Sequence, residues 1–147
     1  MKSYTALELR LLKRLGAENC IDRRPMSGRV LVVDDDESIR ILIQRLLSKH
    51  GFGVETASDG GVALDMLSKE DYDALVLDLM MPRVDGFTVL RQLIATKPEF
   101  LAKTVVATAY PADVAKRQLN EVCRVIIKPF DTVELVDAVR RCAEDGE

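Results

Sequence analysis

A chain of 147 residues, 48% hydrophobic and 31% charged, suffices for one domain with a full core and is too apolar to be disordered. Its single histidine, His50, excludes a histidine-pair catalyst. Its three cysteines, Cys20, Cys123 and Cys142, match no zinc spacing, so free cytosolic thiols are expected. No apolar stretch approaches the roughly 18 residues that span a bilayer, and the N-terminus lacks the apolar centre of a secretory signal.

Residues 1–28 read as an extension. Tyr4, Leu7, Leu11, Leu12 and Leu15 recur at helical spacing, Gly16 is a stop, and Arg23 to Gly28 reads as a linker. Through Arg29 the formal charge of -3 divides unevenly: seven basic residues stand against three acidic ones, a balance of about +4, leaving about -7 for the remainder. A solvated arm is the simplest reading of that charge. The apolar stripe leaves other readings open: packing on its own domain, a homodimer, docking on another protein, or a frayed tail.

From Arg29 onward strand and helix patterns alternate. Arg29 to Val33 is a strand, and Ser38 to Lys49 a helix bearing Ile39, Leu42, Ile43, Leu46 and Leu47 on one face, stopped at His50-Gly51. Gly53 to Ala57 is a short strand and Gly61 to Leu67 a helix. The strand Ala74 to Leu77 meets Asp78, and Asp85-Gly86 opens a helix with Phe87, Val89, Leu90, Leu93 and Ile94. Thr104 to Ala107 is a strand, Pro111 to Asn120 a weaker helix, and Arg124 to Ile127 the last strand. Asp131-Thr132-Val133-Glu134 resembles a capping box for a final helix. Five strands alternating with five helices predict a doubly wound α/β domain over 29–144, with a tail at 145–147.

Four of the strands end abruptly on polar residues. The first runs into Asp34-Asp35-Asp36, the third stops at Asp78, the fourth at Thr108, and the fifth at Lys128, followed by Pro129. Short runs rich in β-branched residues read as parallel strands buried on both faces, and such sheets bind ligands outside the carboxyl ends of their strands. Three acids, a hydroxyl and an ammonium group are therefore expected at one edge. Asp36 is expected only to cap the following helix. Met66, Met80 and Met81 are expected to pack in the core or at its rim, and Asp85-Gly86 to supply turn chemistry.

With Val32-Val33-Asp34-Asp35, Asp78-Leu79-Met80-Met81-Pro82, Thr108-Ala109 and Lys128-Pro129-Phe130 in order, the chain from about Val30 to Cys142 resembles the receiver domain of two-component response regulators. The resemblance implies a flavodoxin-like five-stranded parallel sheet of order 2-1-3-4-5. It implies that Asp78 is the phosphorylated carboxylate and that Asp34 and Asp35 form the acidic pocket, with Asp35 a direct metal ligand. The Met80 carbonyl would complete the protein's share of the Mg²⁺ coordination, Thr108 and Lys128 would contact phosphoryl oxygens, and the Lys128-Pro129 bond would be cis. It also implies a cytoplasmic switch: the donor is a histidine kinase, a histidine phosphotransfer protein or acetyl phosphate, and the output is binding of a downstream protein. Because the chain ends just after the last helix, a stand-alone receiver without a DNA-binding domain is expected.

The residue types suit that chemistry. A carboxylate can form an acyl phosphate, splitting transfer from hydrolysis. Two unit charges about 4 Å apart repel by roughly 4 kcal/mol at an effective dielectric near 20, so clustered acids approached by an anion require a cation between them. Mg²⁺ suits an all-oxygen ligand set, and Lys128 adds a fixed positive charge.

Two departures stand out. Receivers usually carry an aromatic residue three positions before the lysine, where this chain has Val125, and a Gly-Ala pair before the fifth strand, where it has Glu121-Val122-Cys123. Tyr110 is a candidate for part of the aromatic role. Neither Met80 nor Tyr110 orients water, which predicts self-dephosphorylation over minutes or longer. Two competing readings remain: a receiver-fold interaction module or phosphate sink indifferent to phosphorylation, and an aspartate-nucleophile hydrolase. The hydrolase would need a second acid where Met80 stands, so no turnover enzyme is expected.

Overall fold

The computed structural model describes residues 28–109 and 121–145. In chain order they form β1 (Arg29–Val33), α1 (Glu37–Lys49), β2 (Gly53–Ala57), α2 (Gly60–Lys69), β3 (Ala74–Asp78) and α3 (Gly86–Thr96). A 3-10 helix (Pro98–Lys103), β4 (Thr104–Thr108), β5 (Arg124–Ile127) and α4 (Thr132–Asp145) complete them. The strands make one parallel sheet of order β2-β1-β3-β4-β5, the expected flavodoxin-like arrangement. The helix expected in the N-terminal extension, Cys20, Tyr110 and the helix expected over Pro111 to Asn120 lie outside the described residues.

Alternation along the strands sorts side chains into two cores, because successive residues of a strand face opposite sides. Leu31, Val33, Leu75, Leu77 and Val106 pack under α2 and α3 with Ala63, Leu67, Val89 and Leu93. Val30, Val32, Val76, Val105, Ala107 and Ile126 face the other way, against Ile43 and Leu47 of α1 and Leu135, Val139 and Cys142 of α4. The central strands β3 and β4 are buried at every position, which is why their sequences read as continuous apolar runs.

Helix ends follow local chemistry. Asp36 caps α1 by accepting from the Ser38 and Ile39 amides. Asp59 and Asp85 do the same for α2 and α3. Past α1, Gly51 takes φ 95°, and its amide donates to the Ser48 carbonyl, so the chain turns sharply into β2. The sequence pattern missed the 3-10 helix. Its six residues are too short to show a period, yet they deliver Phe100 and Leu101 to the core.

The cysteine expectation is corrected. Cys123, just before β5, is disulfide-bonded to Cys142 of α4 across a sequence separation of 19, with Cα atoms 5.9 Å apart. Sequence spacing gave no sign of this pair, because only the packing of α4 behind β5 brings the two residues together.

Candidate functional site

The sequence-selected site residues sit at the carboxyl edge of the sheet, because each ends its strand or follows it within two residues. Asp34 is one residue past β1, Asp78 ends β3, Thr108 ends β4 and Lys128 is one residue past β5. Asp34, Asp35 and Asp78 each present a carboxylate oxygen such that the three lie within 4.8 Å of one another. Asp34 and Asp78 are 2% and 6% exposed, whereas Asp35 is open to solvent.

Lys128 completes the cluster. Its Nζ lies 2.7 Å from Asp34 Oδ2 and 3.6 Å from Asp78 Oδ2, with the lysine side chain only 14% exposed. The lysine is preceded by a strand that ends at Ile127 and followed by a cis Lys128–Pro129 bond. Its main-chain amide donates to the Thr108 carbonyl at 2.8 Å, which fastens the ends of β4 and β5 to each other. Thr108 itself is fully buried.

Two main-chain amides hold the acids in place. Asp34 Oδ1 accepts from the Asp36 amide at 2.9 Å, and Asp78 Oδ1 accepts from the Met80 amide at 3.2 Å. Burial above all pushes the Asp78 carboxyl up to about 6; Asp34 and Asp35 push the same way, and Lys128 and the Met80 amide oppose them. Met80 is 48% exposed at the rim, while Met81 is buried and Met66 packs against the core. Val125 is half-buried against the core under α2 and α3.

The donor set suits a hard divalent cation. Among the described residues its side chains offer three carboxylates, one of them on an exposed residue, and no thiol or imidazole. His50 lies instead at the far end of α1, its Nδ1 2.9 Å from the Leu46 carbonyl oxygen.

Two supporting residues escaped the sequence reading. Arg40 donates from a guanidinium nitrogen to the Asp34 carbonyl at 2.8 Å. Gly86, expected only to serve a turn, lies so close to the end of β3 that a Cβ there would overlap the Asp78 carbonyl oxygen and come within 2.6 Å of Leu79 Cα. The available sign for Arg40 was a cation in the first turn of a helix, where the dipole disfavours it.

Known proteins share this fold. The model of the response regulator receiver domain matches residues 30–140. Response regulator MprA of Mycobacterium tuberculosis (strain H37Rv) is 56% identical over 71 residues, 48% of this chain and 31% of that protein, so the match spans about a third of the relative's length. The Francisella response regulator 1452 receiver domain superposes with a TM-score of 0.74 at 26% identity, covering 82% of this chain and 100% of that one. TrrA from Thermotoga maritima, solved with Mg(2+)-BeF, gives a TM-score of 0.73 at 29% identity over 79% of this chain and 99% of its own. The family consists of phosphoacceptor switches and not turnover enzymes. The chain belongs to the response regulator receiver domains of two-component systems.

Proposed function

We propose that this chain is a phosphorylation switch. Asp78 accepts a phosphoryl group from a phosphohistidine on a histidine kinase or phosphotransfer protein, and the modified domain changes its affinity for a downstream protein. One observation carries the reading: three carboxylates and the Lys128 ammonium group gather at the edge of one sheet. Residues 29–144 form the receiver unit of this reading, with 1–28 an extension and 145–147 a tail. Its cytoplasmic placement rests on family membership.

In the transfer, an Asp78 carboxylate oxygen bonds to phosphorus as the donor's phosphorus–nitrogen bond breaks. The imidazole leaves with the bonding pair and takes up a proton from solvent. Lys128 is already within 3.6 Å of Asp78 and holds a positive charge where negative charge accumulates. The Thr108 hydroxyl donates to a phosphoryl oxygen. Asp35, Asp78 and the Met80 carbonyl, with Asp34, would hold Mg²⁺, which would supply charge neutralisation and orientation.

The same geometry supports a switch. Because the Lys128 amide is bonded to the Thr108 carbonyl, a pull on either residue moves both loops toward Asp78. Val125 favours a second reading, an interaction module indifferent to phosphorylation, since a half-buried valine cannot make the large rotation of an aromatic side chain.

Acetyl phosphate with Mg²⁺ separates the two. The expected result is a mass gain of one phosphoryl group, absent in Asp78→Asn, that persists for minutes because the exposed rim residue Met80 offers no group to orient water. An unmodified wild-type mass overturns the switch, and loss of the label within seconds overturns the slow dephosphorylation.

A further inference from the structure

We infer that Arg40 is a positioning residue for divalent-cation binding, acting through the peptide that joins Asp34 to Asp35; the inference rests on the metal-dependent switch proposed above. β1 ends at Val33, so the Asp34 carbonyl lies one residue beyond the strand. The Arg40 guanidinium supplies a donor there at 2.8 Å.

That carbonyl carbon is one bond from the Asp35 amide nitrogen, so the orientation of this peptide sets where the Asp35 side chain starts. Asp35 is the exposed member of the triad and has the most freedom to swing away. Asp34 is already held at both carboxylate oxygens, by the Asp36 amide and by Lys128. Asp78 is held by the Met80 amide. Arg40 therefore fixes the junction leading to the third acid.

The position of Arg40 argues that this bond matters. The residue lies in the first turn of α1, where a cation opposes the helix dipole by roughly 0.3–1 kcal/mol, and a long side chain there leans back toward the helix N-terminus. Its lean brings it to the Asp34 carbonyl.

Two effects of removing Arg40 have opposite signs, which makes the inference testable. A bare field effect predicts tighter Mg²⁺ binding, since a cation beside the metal site has been deleted. Positioning predicts weaker binding, on the scale of about 10-fold or more found for outer groups that orient metal ligands.

The experiment is calorimetric titration of the metal-free full chain with Mg²⁺, without any phosphodonor, for wild type, Arg40→Met and Arg40→Lys. Arg40→Met keeps the apolar stem, and a melting curve without metal checks its fold. The expected result is an Mg²⁺ dissociation constant raised about 10-fold in Arg40→Met and largely restored in Arg40→Lys, which keeps a donor of similar reach. Amide exchange at Asp36, whose N–H bonds Asp34 Oδ1, is expected to quicken in metal-free Arg40→Met while amides of β3 stay protected.

Equal or tighter Mg²⁺ binding by Arg40→Met overturns the inference, as does a wild-type chain that binds no Mg²⁺. Should Arg40→Met not fold, the shorter Arg40→Gln takes its place: weaker Mg²⁺ binding supports the inference, and equal or tighter binding overturns it. Phosphorylation of Asp78 is judged separately by the mass gain, so failure of the switch and failure of the role of Arg40 are distinguishable.

Discussion

Lys128 Nζ sits 2.7 Å from Asp34 Oδ2, nearer than to the proposed phosphoacceptor Asp78 at 3.6 Å. The lysine is thus committed to an acid that is 2% exposed, and a new anion on Asp78 must compete for it. Lys128→Met leaves Asp34 buried with the Asp36 amide as its remaining side-chain partner here. Loss of one partner of a fully buried pair costs about 3–5 kcal/mol; with Lys128 at the rim, a loss of roughly 2 kcal/mol is expected in denaturant melts. The same variant should bind Mg²⁺ more tightly, read as a larger Mg²⁺-induced rise in Tm, because the triad has lost its resident cation.

Asp78 sets a pH dependence in the metal-free protein. Its folded carboxyl is raised to about 6 from the ordinary 3.8, chiefly by burial, so the native state holds a proton that the unfolded chain has released. Stability from this group is therefore greatest below pH 4 and is lost as pH rises toward 6. Two units correspond to about 3 kcal/mol at most. Asp78→Asn should raise metal-free stability at pH 7 by about 1–3 kcal/mol and flatten the dependence between pH 4 and 6. Urea melts across that range check it, and a variant no more stable than wild type at neutral pH refutes the assignment.

Magnesium should act on the same carboxylates in the opposite direction. A ligand that binds only the folded state at 100 times its dissociation constant adds about 2.7 kcal/mol, and chelation removes that increment. The Tm of wild type should rise with Mg²⁺ and fall back with a chelator, while Asp35→Ala responds weakly.

Gly86→Ala tests the joint between β3 and α3. A methyl group there meets main-chain atoms of Asp78 and Leu79, which cannot turn aside as a flexible side chain could. The expected loss is roughly 2–3 kcal/mol, with slower phosphoryl acceptance because the end of β3 is displaced. Unchanged melting and labelling would show that the joint yields.

The cross-link between Cys123 and Cys142 closes a loop of 19 residues that contains β5 and Lys128. Restricting the unfolded chain over such a loop is worth about 3 kcal/mol. Reduction, or Cys123→Ser, should lower stability by up to that amount, measured in paired melts with and without a dithiol; identical curves would show that the bridge does not form in solution.

Strand positions and the polar residues that end them were legible because burial on both faces forces a continuous apolar run that the chain must leave abruptly at the edge. Asp36 and Asp85 were readable as local cap and turn signals for a similar reason. The grip of Arg40 on the Asp34 carbonyl, the contact of Gly86 with β3 and the Cys123–Cys142 bridge were not. Each depends on how an element packs after the sheet forms, and no periodicity records that. The preference of Lys128 for Asp34 was hidden too, since sequence order says which strands end in charge and not which charges lie closest.

The bond between Lys128 and Asp34 joins residues 94 positions apart, from one side of a five-stranded sheet to its second strand. No fragment ending before residue 128 possesses it. During synthesis the aspartates therefore emerge first, and the ammonium that balances them comes only with the final strand. The complete centre therefore exists only once β5 has joined the sheet, and a chain cut short before it can never assemble one.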